Sequence, residues 1–346
     1  MKCFYAAATE LHDPIFRLTA GAVVRNAEQA ERAHLLLQGL AQLDLTTDEP
    51  APIPREALLR VHSERFLDFI ETAWEEWQKI PGAGPEVVPN THAMNAEKTY
   101  PSHVVPRAGW HFSDTSAPIG PHSWQAALAS AATAHAAAQA VLAGEGAAYA
   151  LCRPPGHHTA AEVAAGHCLL NNSAIAAEAL RQHHDRVAVL DIDVHHGNGT
   201  QDIFYERDDI LTVSVHAATE DYYPFFLGYA HETGKGAGEG FNLNLPLPRS
   251  TTDDVWCAAI AQGLERISAF APGALVLALG LDAHENDPLL GMKISFDGFR
   301  RAGEMIARTG LPTVIVQEGG YLSPDLTTSL AAFLSGYLGR GGVQPS

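Results

Sequence analysis

Short apolar runs alternate with longer segments of helical periodicity along most of this chain. Runs that predict buried strands lie at residues 149–151, 189–194, 211–216, 275–281 and 314–316. Segments that predict packed helices lie at residues 125–143, 253–270 and 296–309. Such alternation is typical of an α/β fold, so we predict a predominantly parallel, multi-stranded sheet with helices on both faces. The pattern shows no internal repeat, and we interpret residues 1–346 as a single domain.

One apolar run ends in alternating polar residues. Asp191, Asp193 and His195 occupy every second position, and side chains two apart in a strand point the same way. Aspartate oxygen and histidine nitrogen suit Zn²⁺ or Fe²⁺, and a catalytic site takes three protein ligands. The run therefore predicts that two of these three side chains share one metal ion.

A third ligand is expected from another strand end, because ligands gather beyond the carboxyl ends of parallel strands. Asp282 is the first ionisable residue after the apolar run 275–281. An acid in that place can equally cap a helix, so its position alone leaves both interpretations open.

Two further strand ends carry groups suited to acid–base chemistry. His157 and His158 follow a proline-rich turn, and adjacent imidazoles suggest an acid and a base. A Gly-Gly turn after the run 314–316 gives the backbone freedom to aim Tyr321 inward. A tyrosine hydroxyl in that position can stabilise an oxyanion.

Together these motifs resemble the zinc-dependent histone deacetylase superfamily, which has the arginase/deacetylase fold. The segments that carry the resemblance are residues 153–158, 191–201 and 225–238. The third, glycine-rich segment is similar to that of the bacterial acetylpolyamine amidohydrolases in particular. The resemblance implies an arginase/deacetylase-like fold and a deacetylase for acetylated polyamines or diamines, such as acetylputrescine and acetylcadaverine, with acetylspermidine as a further candidate.

The resemblance implies that Asp193, His195 and Asp282 are the ligands of a catalytic Zn²⁺, with Fe²⁺ as the alternative ion. The ion would polarise the acetyl carbonyl and lower the pKa of its bound water towards about 7. A small, cationic, acetylated amine is therefore the expected substrate.

The resemblance also assigns the groups around the metal. It implies that His158 is the general base and then the acid, that His157 is its charged neighbour, and that Tyr321 is the oxyanion donor. Asn198 stands where many histone deacetylases carry an aspartate behind the second histidine. An amide would orient His158 without raising its basicity as much.

A structural potassium ion is implied as well. Asp191 resembles a ligand of that ion rather than of zinc, and Ser214 belongs to the same implied site. Asp191 is also expected to pair with His157.

Aromatic and acidic residues are expected to form the substrate channel. His167 stands where relatives place an aromatic residue, which suggests a changed preference for the acylated chain. The other residues expected there are Tyr223, Phe225, Phe226, Asp114 and Glu285. The acids that relatives use for the distal ammonium have no clear match, and for Asp114 and Glu285 the competing interpretation is a solvated surface acid.

Residues 78–110 interrupt the periodic pattern with prolines and glycines. Loops of this length are usually functional or disordered. In the acetylpolyamine amidohydrolases the corresponding insertion pairs two subunits and narrows the entrance to the site. We therefore expect a homodimer that favours slender substrates.

Composition adds limits on partners and location. The formal net charge is −18, which disfavours nucleic acid and favours cationic ligands, although solubility alone explains it equally well. The four cysteines lack disulfide or metal spacing, and the amino terminus lacks a signal peptide. No apolar segment is long enough for a membrane span, so we predict a cytoplasmic enzyme without a membrane partner.

Three alternatives remain at this stage. The nearest is a broad deacylase for acetyl-lysine peptides or other small acylated amines, with the same metal and tyrosine. An arginase is disfavoured because its binuclear manganese site needs more aspartates around residues 191–195. A non-catalytic protein that binds acylated amines should have lost Tyr321, a ligand or a histidine, and this chain has kept them all.

Overall fold

The computed structural model describes residues 1–93 and 99–340. The strands in these ranges are β1 Lys2–Phe4, β2 Phe16–Thr19, β3 Ala22–Arg25, β4 Thr47–Asp48, β5 Ala147–Ala150, β6 Val187–Asp191, β7 Ile210–Ala217, β8 Asn242–Leu247, β9 Ala274–Leu279 and β10 Thr313–Gln317. The helices are α1 Glu31–Ala41, α2 Arg55–Leu59, α3 Glu64–Trp77, α4 Val104–His111, α5 Ser123–Leu142, α6 Asn172–Arg181, α7 Asn198–Phe204, α8 Asp253–Phe270, α9 Phe296–Ala307 and α10 Leu326–Tyr337.

Eight of the strands form one parallel sheet in the order β4-β1-β5-β10-β9-β6-β7-β8. The central strands β5, β10, β9 and β6 are buried along their whole length, which is why their sequences read as continuous apolar runs. Strands β2 and β3 form a separate antiparallel hairpin.

Each face of the sheet carries its own hydrophobic core. In β6, Val187 and Val189 pack with residues of α3, α5 and α6, whereas Ala188 and Leu190 pack with residues of α1, α8 and α10. This alternation follows from the two-residue repeat of a strand. The predicted α/β fold, with a parallel sheet and helices on both faces, is confirmed.

The predicted helices at residues 125–143, 253–270 and 296–309 correspond to α5, α8 and α9. The expectation of an irregular segment over residues 78–110 is wrong at its carboxyl end, because α4 begins at Val104. Pro106 had suggested a break, but proline is compatible with the first turn of a helix, where backbone N–H groups lack helical acceptors. Residues 94–98 of the segment lie outside the described ranges.

The four cysteines are free and buried. Among residues 1–93 and 99–340, no helix is both long and apolar enough to cross a membrane.

Candidate active site

Four neighbouring strands end at the same edge of the sheet, because β5, β10, β9 and β6 are adjacent and parallel. The polar groups that follow these ends are His157 and His158 after β5, Tyr321 after β10, Asp282 after β9, and Asp193 and His195 after β6. Ile192 and Val194 lie between the polar groups after β6 and pack into the opposite core, as the alternation predicted.

Asp193, His195 and Asp282 come together at this edge. His195 Nδ1 lies 3.1 Å from Asp193 Oδ1 and 3.1 Å from Asp282 Oδ2. All three side chains are buried, and their possible ligand atoms lie within 4.8 Å of one another. Two carboxylates and one imidazole nitrogen form a donor set that suits Zn²⁺ or Fe²⁺. These residues therefore fit a divalent ion.

Charge within this group favours a cation. Burial disfavours a protonated His195, yet its hydrogen bonds to Asp193 and Asp282 raise its pKa to about 9. The negative field that holds this proton would hold a divalent ion in the same place.

A second group of ligand-type side chains, His157, Cys168 and Glu318, is less suited to a metal. Burial holds the pKa of the Cys168 thiol well above its usual range, so the sulfur stays protonated. Glu318 Oε2 already accepts hydrogen bonds from the backbone N–H groups of Gly156 and His157. We interpret Glu318 as the residue that holds the turn before the histidine pair.

The paired histidines differ in charge. Their ring centroids lie 4.0 Å apart. Burial opposes the protonation of His157, but the charges of Asp191 and Asp193 raise its pKa to about 10. Burial lowers the pKa of His158 well below its usual value, and the positive charges on His157 and His195 lower it further. His157 is therefore the charged member of the pair and His158 the neutral one.

Hydrogen bonds set the orientation of both rings. His157 Nδ1 lies 2.9 Å from Asp191 Oδ2, and His158 Nδ1 lies 2.7 Å from Asn198 Oδ1. An amide oxygen only accepts, so the hydrogen of His158 lies on Nδ1 and Nε2 keeps its lone pair. His158 is thus prepared to accept a proton at Nε2.

The turn that carries Tyr321 is held from two sides. The Tyr321 N–H donates to Asp287 Oδ2 at 2.9 Å, and the Arg32 guanidinium donates to the carbonyl oxygens of Glu318 and Gly320. Gly320 has a φ of +114°, a conformation that side-chain-bearing residues rarely adopt. The Arg32 guanidinium also lies 4.8 Å from the centroid of the Tyr321 ring.

A cavity of about 410 Å³ lies beside His158, His195 and Tyr321. Of the residues singled out in the sequence, those that line this cavity are His158, His167, His195, Tyr223, Phe225 and Tyr321. His167 has a φ of +71°, uncommon for a residue with a Cβ, and its Nδ1 bonds to the Ser116 carbonyl oxygen at 2.9 Å. This backbone conformation places the His167 ring 5.6 Å from that of Tyr321.

Three channel residues lie elsewhere than predicted. Phe226 is 86% exposed and does not line the cavity, because the chain turns at Phe225, whose φ is +64°. Glu285 is exposed and also lies outside the lining. Asp114 is partly buried behind the wall, where its carboxylate accepts hydrogen bonds from Tyr223 Oη and from the N–H groups of Gly166 and Ser116. Asp114 is therefore a support for the wall and not a solvated surface acid.

Asp191 is buried and fully engaged by protein groups. Its Oδ1 accepts from the Asp193 N–H at 3.0 Å, and its Oδ2 faces His157. Ser214 lies beside it in the register of β6 and β7, and its Oγ bonds to His216 Nδ1.

The residues of this site that were not predicted from the sequence are Arg17, Arg32, Asp287 and Glu318. Glu318 directly follows β10, and Asp287 lies shortly after Asp282. A search for every acid near the strand ends would therefore have found both. No local pattern indicates Arg17 or Arg32, because the parts of the site beside which they lie are distant from them in the sequence.

The histone deacetylase domain matches residues 26–337 of this sequence. The chain belongs to the histone deacetylase family. This family member is 41% identical to the acetylpolyamine amidohydrolase of Burkholderia pseudomallei over 97% of the chain and 98% of that protein. It is 40% identical to acetylpolyamine amidohydrolase 1 of Pseudomonas aeruginosa over 98% of the chain and 99% of that protein.

Solved structures of histone deacetylase relatives have the same fold. A crystal structure of the Burkholderia pseudomallei acetylpolyamine aminohydrolase superposes with a TM-score of 0.94 at 40% identity, covering 99% of this chain and 100% of that one. The HD domain of HDA15 superposes with a TM-score of 0.81 at 26% identity, covering 100% of this chain and 91% of that one. This family member is therefore a hydrolytic enzyme of the deacetylase type.

Proposed function

We propose that this chain is a metal-dependent amidohydrolase that removes acetyl groups from acetylated polyamines or diamines. Acetylputrescine and acetylcadaverine are the expected substrates, with acetylspermidine as a further candidate. One cluster of side chains at the cavity carries the proposal. It combines Asp193, His195 and Asp282 with a histidine pair in which His157 is charged and His158 is neutral. Similarity to the acetylpolyamine amidohydrolases over nearly the whole chain supports the substrate class.

Asp193, His195 and Asp282 would hold the catalytic ion, with Zn²⁺ preferred and Fe²⁺ as the alternative. When bound, a divalent ion supplies a Lewis acid that polarises the acetyl carbonyl and makes water a better nucleophile near neutral pH. Asp191, the last residue of β6, pairs with Ser214 in the interior of β7, and this pairing supports their proposed place beside a structural K⁺.

Three side chains of the site transfer protons or stabilise charge during the reaction. His158 accepts the proton of the attacking water at Nε2 and then delivers it to the leaving amine. His157, charged and paired with Asp191, stabilises the negative charge that develops on the substrate. Tyr321 donates its hydroxyl hydrogen to the carbonyl oxygen as that atom becomes an oxyanion.

Tyr223, Phe225 and His167 would flank the aliphatic chain of the substrate, because they line the cavity beside these groups. We further propose a cytoplasmic homodimer in which residues 78–110 contribute to the subunit contact and to the entrance. The net charge of −18 supports cationic substrates over nucleic acid.

The first experiment measures acetate release from acetylputrescine, acetylcadaverine, acetylspermidine and an acetyl-lysine peptide in parallel. The enzyme is freed of metal with a chelator and reconstituted with Zn²⁺ or Fe²⁺ separately. We expect activity only after reconstitution, with a much higher kcat/KM for the free acetylated diamines than for the peptide.

Comparable or better turnover of the peptide would overturn the substrate assignment and favour a broad deacylase. Full activity after removal of the metal would overturn the proposed chemistry. Tyr321→Phe is the control for acetate that is released without the active site.

A further inference from the structure

Arg17 brings a positive charge to the wall of the active-site cavity. It lies in β2 of the hairpin, and together with Leu18 and Thr19 it lines the cavity of about 410 Å³ that contains His158 and His195. Arg17 also lines an adjoining cavity of about 370 Å³. Tyr321 likewise lines both cavities. A cation in this place is unexpected for a site that would bind only a cationic amine.

The guanidinium of Arg17 is not used to hold the fold. Its Nε is buried without a hydrogen-bond partner, and no acceptor for the side chain occurs within residues 1–93 and 99–340. Five donors in a planar fork suit a carboxylate, and a buried donor without an acceptor is costly. Arg17 therefore has the free capacity to bind an anionic group.

Hydrogen bonds fix the hairpin that carries Arg17. The Leu18 N–H donates to Thr115 Oγ1 at 3.3 Å. Asn26 Nδ2 donates to the carbonyl oxygens of Phe16 and Ser116 at 3.3 and 3.1 Å. Ser116 is also the residue that holds His167 in the cavity wall. The position of Arg17 is thus tied to the wall of the site.

The charges around Arg17 can complement a zwitterion. Among the described residues, Asp221 is the only carboxylate that lines the first cavity, and it lies 3.9 Å from Arg249. The adjoining cavity is lined by Arg17 and Arg25 and, within the described chain, by no carboxylate. A substrate whose free end carries both an ammonium and a carboxylate would find an opposite charge for each.

We propose that the site accepts free ω-N-acetyl diamino acids, with the α-carboxylate bound by Arg17 and the α-ammonium on the side of Asp221. Nε-acetyllysine is acetylcadaverine with one added carboxylate, so the reacting end is unchanged. The inference rests on the proposed deacetylase function and extends its substrate class to acetylated amines that also carry a carboxylate. In a peptide the α-carboxyl group of acetyllysine is part of an amide bond. The carboxylate therefore distinguishes free acetylated diamino acids from acetyl-lysine proteins as substrates.

The reaction remains the hydrolysis of an amide. The oxygen of water bonds to the acetyl carbon, the bond from that carbon to Nε breaks, and Nε takes up a proton. Nε-acetyllysine and water give lysine and acetate, and no oxidant, reductant or further reactant is needed.

The test compares kcat/KM for Nε-acetyllysine, Nε-acetyllysinamide and acetylcadaverine with the metal-loaded enzyme. The first two differ only in the replacement of the carboxylate by a neutral amide. A charged hydrogen bond between Arg17 and the carboxylate predicts that kcat/KM is about tenfold higher for Nε-acetyllysine than for Nε-acetyllysinamide. In Arg17→Met this preference should disappear, whereas turnover of acetylcadaverine should rise because a like charge is removed near its ammonium.

Arg308→Met is the matched control, since it removes the same charge from an exposed position that lines neither cavity. It should keep the preference for the acid. Equal or lower kcat/KM for the acid in the wild-type enzyme would overturn the proposal, as would a preference that persists in Arg17→Met or falls equally in Arg308→Met.

Arg17→Lys covers the case in which Arg17→Met does not fold, because it keeps the charge and should keep part of the preference. A preference for the acid in Arg17→Lys equal to that of the wild-type enzyme would overturn the proposed binding by the guanidinium fork. Failure of the proposed function itself would look different, since acetylcadaverine would then release no acetate.

Discussion

At the scale of single residues, the site depends on hydrogen bonds that orient the reacting groups. Asn198 sets the tautomer of His158, and Asp191 holds the charge of His157. Asp287 and Arg32 hold the backbone that presents Tyr321. These supports act through other residues, so their substitution should change turnover more than substrate affinity.

Tyr321→Phe should lower kcat by about 10²–10³, because removal of one oxyanion donor costs roughly 3–4 kcal/mol of transition-state stabilisation. Metal content should not change, since Asp193, His195 and Asp282 are the proposed ligands and the substitution leaves them in place. Steady-state kinetics and elemental analysis of the purified variant check both expectations. Unchanged turnover would remove Tyr321 from the mechanism.

At the scale of secondary-structure elements, the turns after the parallel strands place the ligands. Gly319 follows β10 and passes so close to the metal group that a Cβ there would lie 2.1 Å from Asp282 Oδ2 and 2.5 Å from Asp193 Oδ2. Its N–H donates to Asp193 Oδ2 at 2.8 Å. The turn therefore both needs a glycine and orients a ligand.

Gly319→Ala should reduce the metal content and the activity together, because an added methyl group would displace both carboxylates. Gly146→Ala is the control, since a Cβ at Gly146 meets no atom within 4 Å. Elemental analysis and kcat/KM after reconstitution with Zn²⁺ measure the effect. Full metal loading in Gly319→Ala would show that the ligands are not where we propose.

His62 connects elements on one face of the sheet and gives stability a dependence on pH. It lies between α2 and α3, and its Nε2 accepts from the N–H of Asn171, the N-cap residue of α6. Burial lowers its pKa to about 4, against about 6.5 in the unfolded chain. As pH falls below 6.5, the unfolded state takes up the proton first, so the free energy of unfolding decreases until about pH 4.

Between pH 7 and pH 5 this single group should lower the free energy of unfolding by about 2 kcal/mol. His62→Gln keeps an acceptor and removes the titration, so its stability should depend less on pH over this interval. Denaturant unfolding of both proteins at several pH values is the measurement. Parallel stability curves for the two proteins would contradict the assignment.

At the scale of the whole molecule, we propose that residues 78–110 connect the oligomeric state with access of the substrate to the site. The described part of this segment places α4 against α3, where Val104 and Ala108 join the core on that side of the sheet. The predicted dimer contact would therefore rest on a segment anchored at its carboxyl end.

We predict a mass twice that of one chain in sedimentation or light scattering at working concentration. The reason is the length of the segment and its content of proline and glycine, since long segments of this kind in a compact domain usually have a function. The mass of a single chain at that concentration would contradict the homodimer.

The sequence by itself determined five strands of the sheet, three of the helices and the class of fold. Buried strands such as β9 and β10 need continuous apolar residues, and helices such as α8 need apolar residues at helical spacing, so both leave local patterns. The approach of Asp282 to the run 191–195 was also predictable, because parallel strands bring their carboxyl ends to one edge. Only the family resemblance indicated which residues of that run are ligands.

Only the tertiary structure decided which side chains line the cavity. Phe225 lies in the wall while its neighbour Phe226 is exposed, and Glu285 lies outside it. Asp114 supports Tyr223 from a segment distant in the sequence, and Arg17 enters the wall from the hairpin. Loop direction and long-range hydrogen bonds determine these positions, and neither leaves a periodic pattern in the chain.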